Sequence, residues 1–342
     1  MAKLDVLFIL DPIAAIQPAT DSSYVMVTEA LRRGHRPYAV ELEGLALLGE
    51  RAIAHAMPIA LMGAAQSPLT TRSLTPSEPR ELNSFAAVLM RKDPPLDDNY
   101  LVATWCMDRA RGQTLLVNDP RGLRDLNEKL SILAFPDLIP ETRLLRRSED
   151  LRQALDDFGG HMIVKPVFGF GGSEIFRADK NDPNLSTIFE VATHNESRWT
   201  LAQAYLKEAT EGDKRILLVD GEAIGGVLRV PATGELRNNF HAGGSARLTE
   251  LSARDLEICA QVGPYLRDHG QFFAGIDVIG GHLTEINVTS PTGMQEINRL
   301  RDLHEDRTMQ AQFWDALETK CAKPTNPPLI ARDAMVPPAH GQ

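Results

Sequence analysis

Apolar runs broken by glycine and proline set out the first third of the chain. LDVLFILDP (4–12) reads as a buried strand stopped by a proline. SSYVMVTEALRRG (22–34) reads as a helix with a serine start and a glycine stop, and RPYAVEL (36–42) as a strand, so a β-α-β unit opens the chain. FAAVLMRKDPP (85–95) and TLLVND (114–119) predict two further buried strands around a helix over 98–111. That alternation predicts a small parallel α/β domain. The segment 63–83, rich in serine, threonine and proline, predicts an irregular, mobile insertion.

The texture changes after about residue 120. LRDLNEKLSIL (123–133) predicts a helix, and HMIVKPVFGFGGSEIFRA (161–178) a strand, a glycine-rich loop and a second strand with no helix between them. WTLAQAYL, RILLVDG, EAIGGVLRV, FFAGIDVIGG and HLTEINVT continue as strands, most of them in hairpins, so this part reads as α+β with a largely antiparallel sheet. The proline-rich tail 323–342 predicts disorder.

Composition narrows the function. With 342 residues the chain has room for two or three domains, and 43% hydrophobic with 24% charged residues is ordinary for a globular protein. A formal charge of −10 argues against a general nucleic-acid binder. Cys106, Cys259 and Cys321 show no CxxC spacing, which fits free thiols in a reducing cytoplasm. The N-terminus has no signal-peptide pattern and no stretch is apolar enough to span a membrane.

Three constellations carry candidate chemistry. In LTEINVTSPTG (283–293), Glu285 and Asn287 share a strand face, which is unusual for a buried strand and suits a metal site. Asp277 lies on the preceding strand, and the turn decides whether it joins them. A two-residue Gly280-Gly281 turn would pair it with Thr284, on the other face; a three-residue loop over 280–282 would pair it with Glu285, and this register is the one expected. Asp, Glu and Asn oxygens without His or Cys favour Mg²⁺ or Mn²⁺ over zinc. The bland alternative is a polar, solvent-facing hairpin.

The second constellation is Lys165-Pro166-Val167-Phe168-Gly169-Phe170-Gly171-Gly172-Ser173. Its lysine precedes the glycines on a strand, so it is neither a Walker loop nor a dinucleotide fingerprint. It suits a flexible cover over nucleotide phosphates, although a structural glycine turn would look the same. The third is Arg215, Arg229 and Arg237 upstream of Gly243-Gly244, with 231–247 reading as a long loop of the kind that forms lids and should be poorly ordered without ligands.

In this order, MRKDPP, NEKL, GDKR, AGG and GIDVIGGHLTEINVTSPTG resemble the bacterial glutathione synthetases of the ATP-grasp superfamily, over residues 4–315. The resemblance implies an N-terminal Rossmann-like, pre-ATP-grasp domain over 1–122. A two-subdomain ATP-grasp fold follows, with a lid subdomain over 123–204 and a C-terminal subdomain over 205–318, and then a tail over 319–342. It implies that Lys129 and Lys165 contact ATP phosphates under the Gly169, Gly171 and Gly172 loop, that Gln203, Ala204, Tyr205 and Leu206 line the adenine pocket, and that Asp213 lies near the ribose. Asp277, Glu285 and Asn287 would hold two Mg²⁺ ions, with Mn²⁺ as the other choice. Arg215, Arg229 and Arg237 would stabilise the reacting phosphoryl and acyl groups. Gly243, Gly244, Ser290, Pro291, Thr292 and Gly293 would contact substrate, and Asp11, Ser22, Ser23, Arg91 and Lys92 would face the dipeptide.

The implied reaction joins γ-glutamylcysteine and glycine at the expense of ATP, in a cytoplasmic homo-oligomer, dimer or tetramer. Two features depart from the family's pattern. Phe168 stands where an aspartate is common, and the run from Gly221 to Arg229 is less bulky than usual. The alternatives are a related carboxylate–amine ligase with other substrates, or a non-catalytic nucleotide-binding protein.

Overall fold

The structure is a computed structural model that describes residues 2–63, 67–71, 79–169, 174–232, 238 and 243–322. The opening unit runs β1 (Asp5–Ile9), α1 (Ser22–Arg32), β2 (Arg36–Val40), β3 (Leu45–Leu48), β4 (Arg51–Ala54), β5 (Met57–Leu61), β6 (Leu69–Thr71), β7 (Arg80–Glu81), β8 (Ala87–Met90), α2 (Asp98–Asp108), β9 (Leu115–Val117) and α3 (Pro120–Asp125). Its main sheet has the order β6-β5-β2-β1-β8-β9. The β2, β1, β8 and β9 part is parallel, as the β-α-β opening predicts, but β5 and β6 add antiparallel at one edge, so the sheet is mixed. A second sheet, β3-β4-β7, has no counterpart in the predicted elements. The predicted insertion 63–83 therefore holds β6 and β7, while 64–66 and 72–78 lie outside the described residues. Helix α1 is capped by Asp21, whose carboxylate accepts from Ser23 N, so the serine start is corrected to an aspartate one residue earlier.

The middle unit is a four-stranded antiparallel sheet, β10-β13-β11-β12, made of β10 (Thr142–Leu145), β11 (His161–Pro166), β12 (Phe176–Asp179) and β13 (Thr200–Ala204). Helices α4 (Ser148–Asp157) and α5 (Leu185–Thr193) pack with it around Leu151, Phe189 and Ala202. The continuous helix predicted over 123–133 is broken. Leu126 is extended, and Asn127 Oδ1 accepts from the N–H groups of Lys129 and Leu130, a local turn that competes with helix.

The closing unit is β16-β15-β14-β17-β18, made of β14 (Asp213–Val219), β15 (Glu222–Val230), β16 (Ser245–Leu248), β17 (Phe273–Ile279) and β18 (His282–Asn287), all antiparallel. Helices α6 (Ala253–Asp268), α7 (Met294–Arg301) and α8 (Met309–Cys321) complete it. Residues 245–247 of the predicted loop thus belong to β16. Residues 233–237 and 239–242 lie outside the described set. Likewise 319–321 belong to α8 rather than to a tail, and 323–342 are not described.

The β17–β18 hairpin reaches the expected pairing by a different route. Gly280 and Gly281 form a two-residue turn with φ +55° and +78°, the positive values a primed turn requires. Ile279 pairs with His282 and Val278 with Leu283, and then Thr284 is bulged out, so Asp277 faces Glu285. A two-residue turn plus one bulge has the same parity as the expected three-residue loop.

The opening and closing units share their apolar cores, whereas the middle unit has its own. Asn118 joins the first two: its amide donates to Phe273 O at 2.7 Å and Val288 O at 2.6 Å and accepts from Phe273 N at 2.8 Å. Trp314 of α8 adds a 2.9 Å bond to Met26 O of α1.

Close packing also constrains α6. A Cβ on Gly263 would lie 2.2 Å from Gly221 O. Alanine favours a helix by about 1 kcal/mol over glycine, but that backbone contact outweighs the gain. Gly263→Ala should therefore lower the melting temperature, which thermal unfolding will show; a rise would contradict the packing.

Candidate functional site

The hairpin, β14 and β15 align one row of charges across the closing sheet. Asp213 faces Arg229, Arg215 faces Asp277, and Asp277 faces Glu285. Since Asp213 and Arg215 are two residues apart, the whole row lies on one face. The Arg215 guanidinium grips Asp277 with Nε at 2.5 Å and Nη2 at 2.8 Å. Arg229 grips Asp213 with Nε and Nη2, each at 2.6 Å, and its Nη2 also reaches Asp277 Oδ2 at 2.9 Å. Asn287 Nδ2 donates to the same Oδ2 at 3.3 Å. Burial alone would raise the Asp277 pKa, but Arg215 and Arg229 outweigh it and hold the carboxyl well below the usual range.

Lys165, at the end of β11, is buried and reaches across from the middle unit. Its Nζ donates to Thr284 O at 3.3 Å and lies 3.7 Å from Glu285 Oε1. The bulge thus presents the carbonyl that this lysine uses. Burial pulls the Lys165 pKa down, against the pull of Glu285. Lys129 Nζ donates to Gly169 O at 2.6 Å, and Asn127 Nδ2 to Val167 O at 3.2 Å, so the start of the glycine loop is tied to 127–129. Gly171 and Gly172, like Arg237, lie outside the described residues.

Glu128, missing from the candidates above, anchors the strand end. Its Oε1 accepts from Val288 N, Thr289 N and Thr289 Oγ1 at 3.2, 3.3 and 2.8 Å. Burial raises its carboxyl pKa. The only signal for it was its place inside NEKL, between the asparagine and the lysine.

A second cluster bridges the opening and closing units. Lys92 Nζ is 2.8 Å from Asp11 Oδ1, and Asp93 N donates to Asp11 Oδ2 at 2.9 Å. Arg91 is buried, donating from Nε to Ser23 Oγ at 3.1 Å and from Nη2 to Pro291 O at 3.3 Å. Ser290 Oγ donates to Asp93 Oδ1 at 2.5 Å, and Met294 N to Ser22 Oγ at 3.5 Å. Asp11, Ser22, Ser23, Arg91, Lys92, Ser290 and Pro291 thus meet at one place, with Asp93 added by the structure. Thr292 and Gly293 lead from it into α7.

The other candidates are more dispersed. Gln203 donates to Thr142 Oγ1 at 2.9 Å between β13 and β10, and Arg177 stacks over the Tyr205 ring at 4.4 Å. Leu206 opens a short 3-10 turn, and Gly243 and Gly244 lead into β16.

Asp277, Glu285 and Asn287 form an all-oxygen donor set of two carboxylates and an amide, which fits a hard divalent cation such as Mg²⁺. Among the described residues, no three His, Cys, Asp or Glu side chains gather as a metal centre.

Lys165 of the middle antiparallel sheet meets the carboxylate row of the closing antiparallel sheet, with Lys129 on the segment bonded to β18, and this two-sheet arrangement is that of the ATP-grasp fold. Solved structures share the fold. D-cycloserine synthetase DcsG superposes with a TM-score of 0.63 over 93% of this chain and 99% of its own, at 14% identity. A Chryseobacterium gregarium RiPP-associated ATP-grasp ligase gives 0.60 over 95% and 100%, at 15%. The family models of the prokaryotic glutathione synthetase N-terminal domain and ATP-grasp domain match residues 4–124 and 128–302. The glutathione synthetase of Bradyrhizobium diazoefficiens is 41% identical, covering 94% of this chain and 100% of its own, and that of Vibrio vulnificus 42%, covering 94% and 98%. The chain belongs to the prokaryotic glutathione synthetase family.

The charge row makes a stability contrast. Asp277→Ala leaves two buried guanidiniums short of an anion and should cost about 3–5 kcal/mol. Glu285→Ala removes a partly exposed carboxylate and should cost about 1 kcal/mol. Urea unfolding of both variants checks this; equal losses would refute the contrast.

Proposed function

We propose that this chain is a glutathione synthetase that joins γ-glutamylcysteine and glycine at the expense of ATP. The observation that carries the reading is the facing of Lys165 and the Asp277–Glu285–Asn287 set across the cleft, in a chain of this family. The γ-phosphoryl group of ATP passes to the dipeptide's cysteinyl carboxylate, giving an acyl phosphate and ADP. The glycine amine then attacks the acyl carbon, an amide bond forms, and phosphate leaves as the amine loses a proton. Such chemistry needs positioning and charge neutralisation more than a protein nucleophile.

In this reading Lys129, Lys165 and the backbone of the glycine loop hold the ATP phosphates. Gln203, Tyr205 and Leu206 border the adenine. Arg215, Arg229 and Arg237 neutralise charge on the transferred group. Asp277, Glu285 and Asn287 would hold Mg²⁺ ions, two in number, with Mn²⁺ as a substitute. When bound, these ions offset phosphate charge. The second cluster, from Asp11 to Gly293, takes the dipeptide, and the Gly243-Gly244 segment closes on the acyl side. The three free cysteines suit the cytoplasm, and a homo-oligomer, dimer or tetramer, is part of the proposal. Among the described residues, no helix is long and apolar enough to cross a membrane.

An ADP-release assay with ATP, Mg²⁺, γ-glutamylcysteine and glycine, omitting each in turn, tests the reading. ADP should require all four, with glutathione confirmed by mass, and Glu285→Ala should abolish turnover while the protein stays folded. ADP release with a different acceptor or dipeptide only would redirect the reading to a related ligase.

A further inference from the structure

We propose that two adjacent side chains serve two different substrates: Asn127 positions the nucleotide side of the site through Lys129, and Glu128 positions the dipeptide side through Val288 and Thr289. The inference rests on the glutathione synthetase reading above and adds two positioning residues to it. Strand β18 ends at Asn287 and α7 begins at Met294. The backbone between them belongs to neither ladder nor helix, so its polar groups need partners from elsewhere. Val288 is held from both sides: its N–H donates to Glu128 Oε1 at 3.2 Å and its carbonyl accepts from Asn118 Nδ2 at 2.6 Å. Thr289 gives the same Glu128 oxygen two more bonds, from N at 3.3 Å and from Oγ1 at 2.8 Å. Glu128 is itself tied to the strand, since its carbonyl accepts from Ile286 N at 2.9 Å. Directly beyond, Ser290 donates to Asp93 and Pro291 O accepts from Arg91, in the cluster that takes the dipeptide. Glu128 therefore sets where the chain enters that cluster.

Asn127 faces the other way. Its Oδ1 accepts from Lys129 N and Leu130 N, each at 3.0 Å, which closes the turn from which the Lys129 side chain leaves. Its Nδ2 donates to Val167 O at 3.2 Å, and Lys129 Nζ reaches Gly169 O at 2.6 Å. Asn127 and Lys129 thus hold the same run, 167–169, where β11 has just ended. The middle unit shares no core with the other two, so a common apolar core does not duplicate these polar ties. A three-residue segment could act as one rigid block, in which any change spreads to both sides. The bonds divide instead. Among the described residues, the Glu128 side chain makes no hydrogen bond to 167–169, and that of Asn127 makes none to 286–289.

The test compares wild type with Asn127→Ala, Glu128→Ala and Glu128→Gln, by steady-state kinetics and by amide hydrogen exchange read at Val288 and Thr289. Glu128→Ala should raise KM for γ-glutamylcysteine by about ten- to a hundredfold, the span of one or two lost bonds to a charged acceptor. Its KM for ATP should stay within about threefold of wild type. Asn127→Ala should do the opposite, raising KM for ATP about tenfold and leaving that for the dipeptide within about threefold. Glu128→Gln keeps an acceptor oxygen at the same reach and should bring the dipeptide KM back to within about threefold of wild type. Exchange at Val288 and Thr289 should quicken by about tenfold or more in Glu128→Ala and stay unchanged in Asn127→Ala. A purely structural role would move both KM values alike in each variant, and that result overturns the proposal. So does unchanged exchange at the two amides in Glu128→Ala, or a Glu128→Gln no better than Glu128→Ala. Should Glu128→Ala not fold, Thr289→Val replaces it: one of the three bonds is lost at nearly constant shape, and the dipeptide KM alone should rise about three- to tenfold. Wild type that makes no glutathione would sink the substrate reading, while exchange at the two amides still judges the hold of Glu128.

Discussion

Two guanidiniums inside one sheet need carboxylates within reach, because an unpaired buried charge costs several kcal/mol. That constraint organises the closing unit. Asp277 is the shared anion of Arg215 and Arg229, and Asp213 completes the set. The pairing holds only while β17 and β18 keep their register, and one residue of slip would turn Glu285 to the opposite face. The Gly280-Gly281 turn and the Thr284 bulge together prevent that slip, and the bulge also supplies the carbonyl that draws in Lys165. Turn, charge row and contact between units are therefore consequences of one local geometry.

Among the described residues of the site, the acids and bases named above are equal in number. Asp213, Asp277, Glu285 and Glu128 stand against Lys129, Lys165, Arg215 and Arg229. Any polyanion approaching these residues meets carboxylates as well as cations. The −10 net charge of the whole chain gives no hint of this, since a sum over all residues says nothing of how the charges are placed.

Much of this was legible in the chain. The β-α-β opening and the two strands on either side of Lys165's glycine run follow from periodicity and turn residues, whereas the facing of Asp277 and Glu285 was expected through a three-residue loop and arises instead from a two-residue turn and a bulge. Their order along the chain also carries the family's motifs. What stayed hidden is non-local. The bulge at Thr284 has no sequence mark distinct from a longer loop, and the grip of Arg229 on Asp213 depends on two strands lying side by side. Glu128 and Asp93 are exposed-looking acids whose partners, Thr289 and Ser290, are more than 150 residues away. The β3-β4-β7 sheet is built from short strands with no clear alternation. The helix over 123–133 failed because Asn127 closes a turn in its middle.

The separate core of the middle unit has a further consequence. Leu151, Phe189 and their neighbours do not pack into the cores of the other two units, whereas Ile216 and Leu7 belong to one cluster. Mutational damage is therefore partitioned along the chain. A defect in the middle core loosens the strand that carries Lys165 and leaves the Asp11–Arg91–Ser290 cluster folded, while a defect in the shared cores brings down both of the other units together. Natural variation should be tolerated unequally on the two sides, with the middle unit free to drift in sequence so long as Lys165 still reaches Thr284.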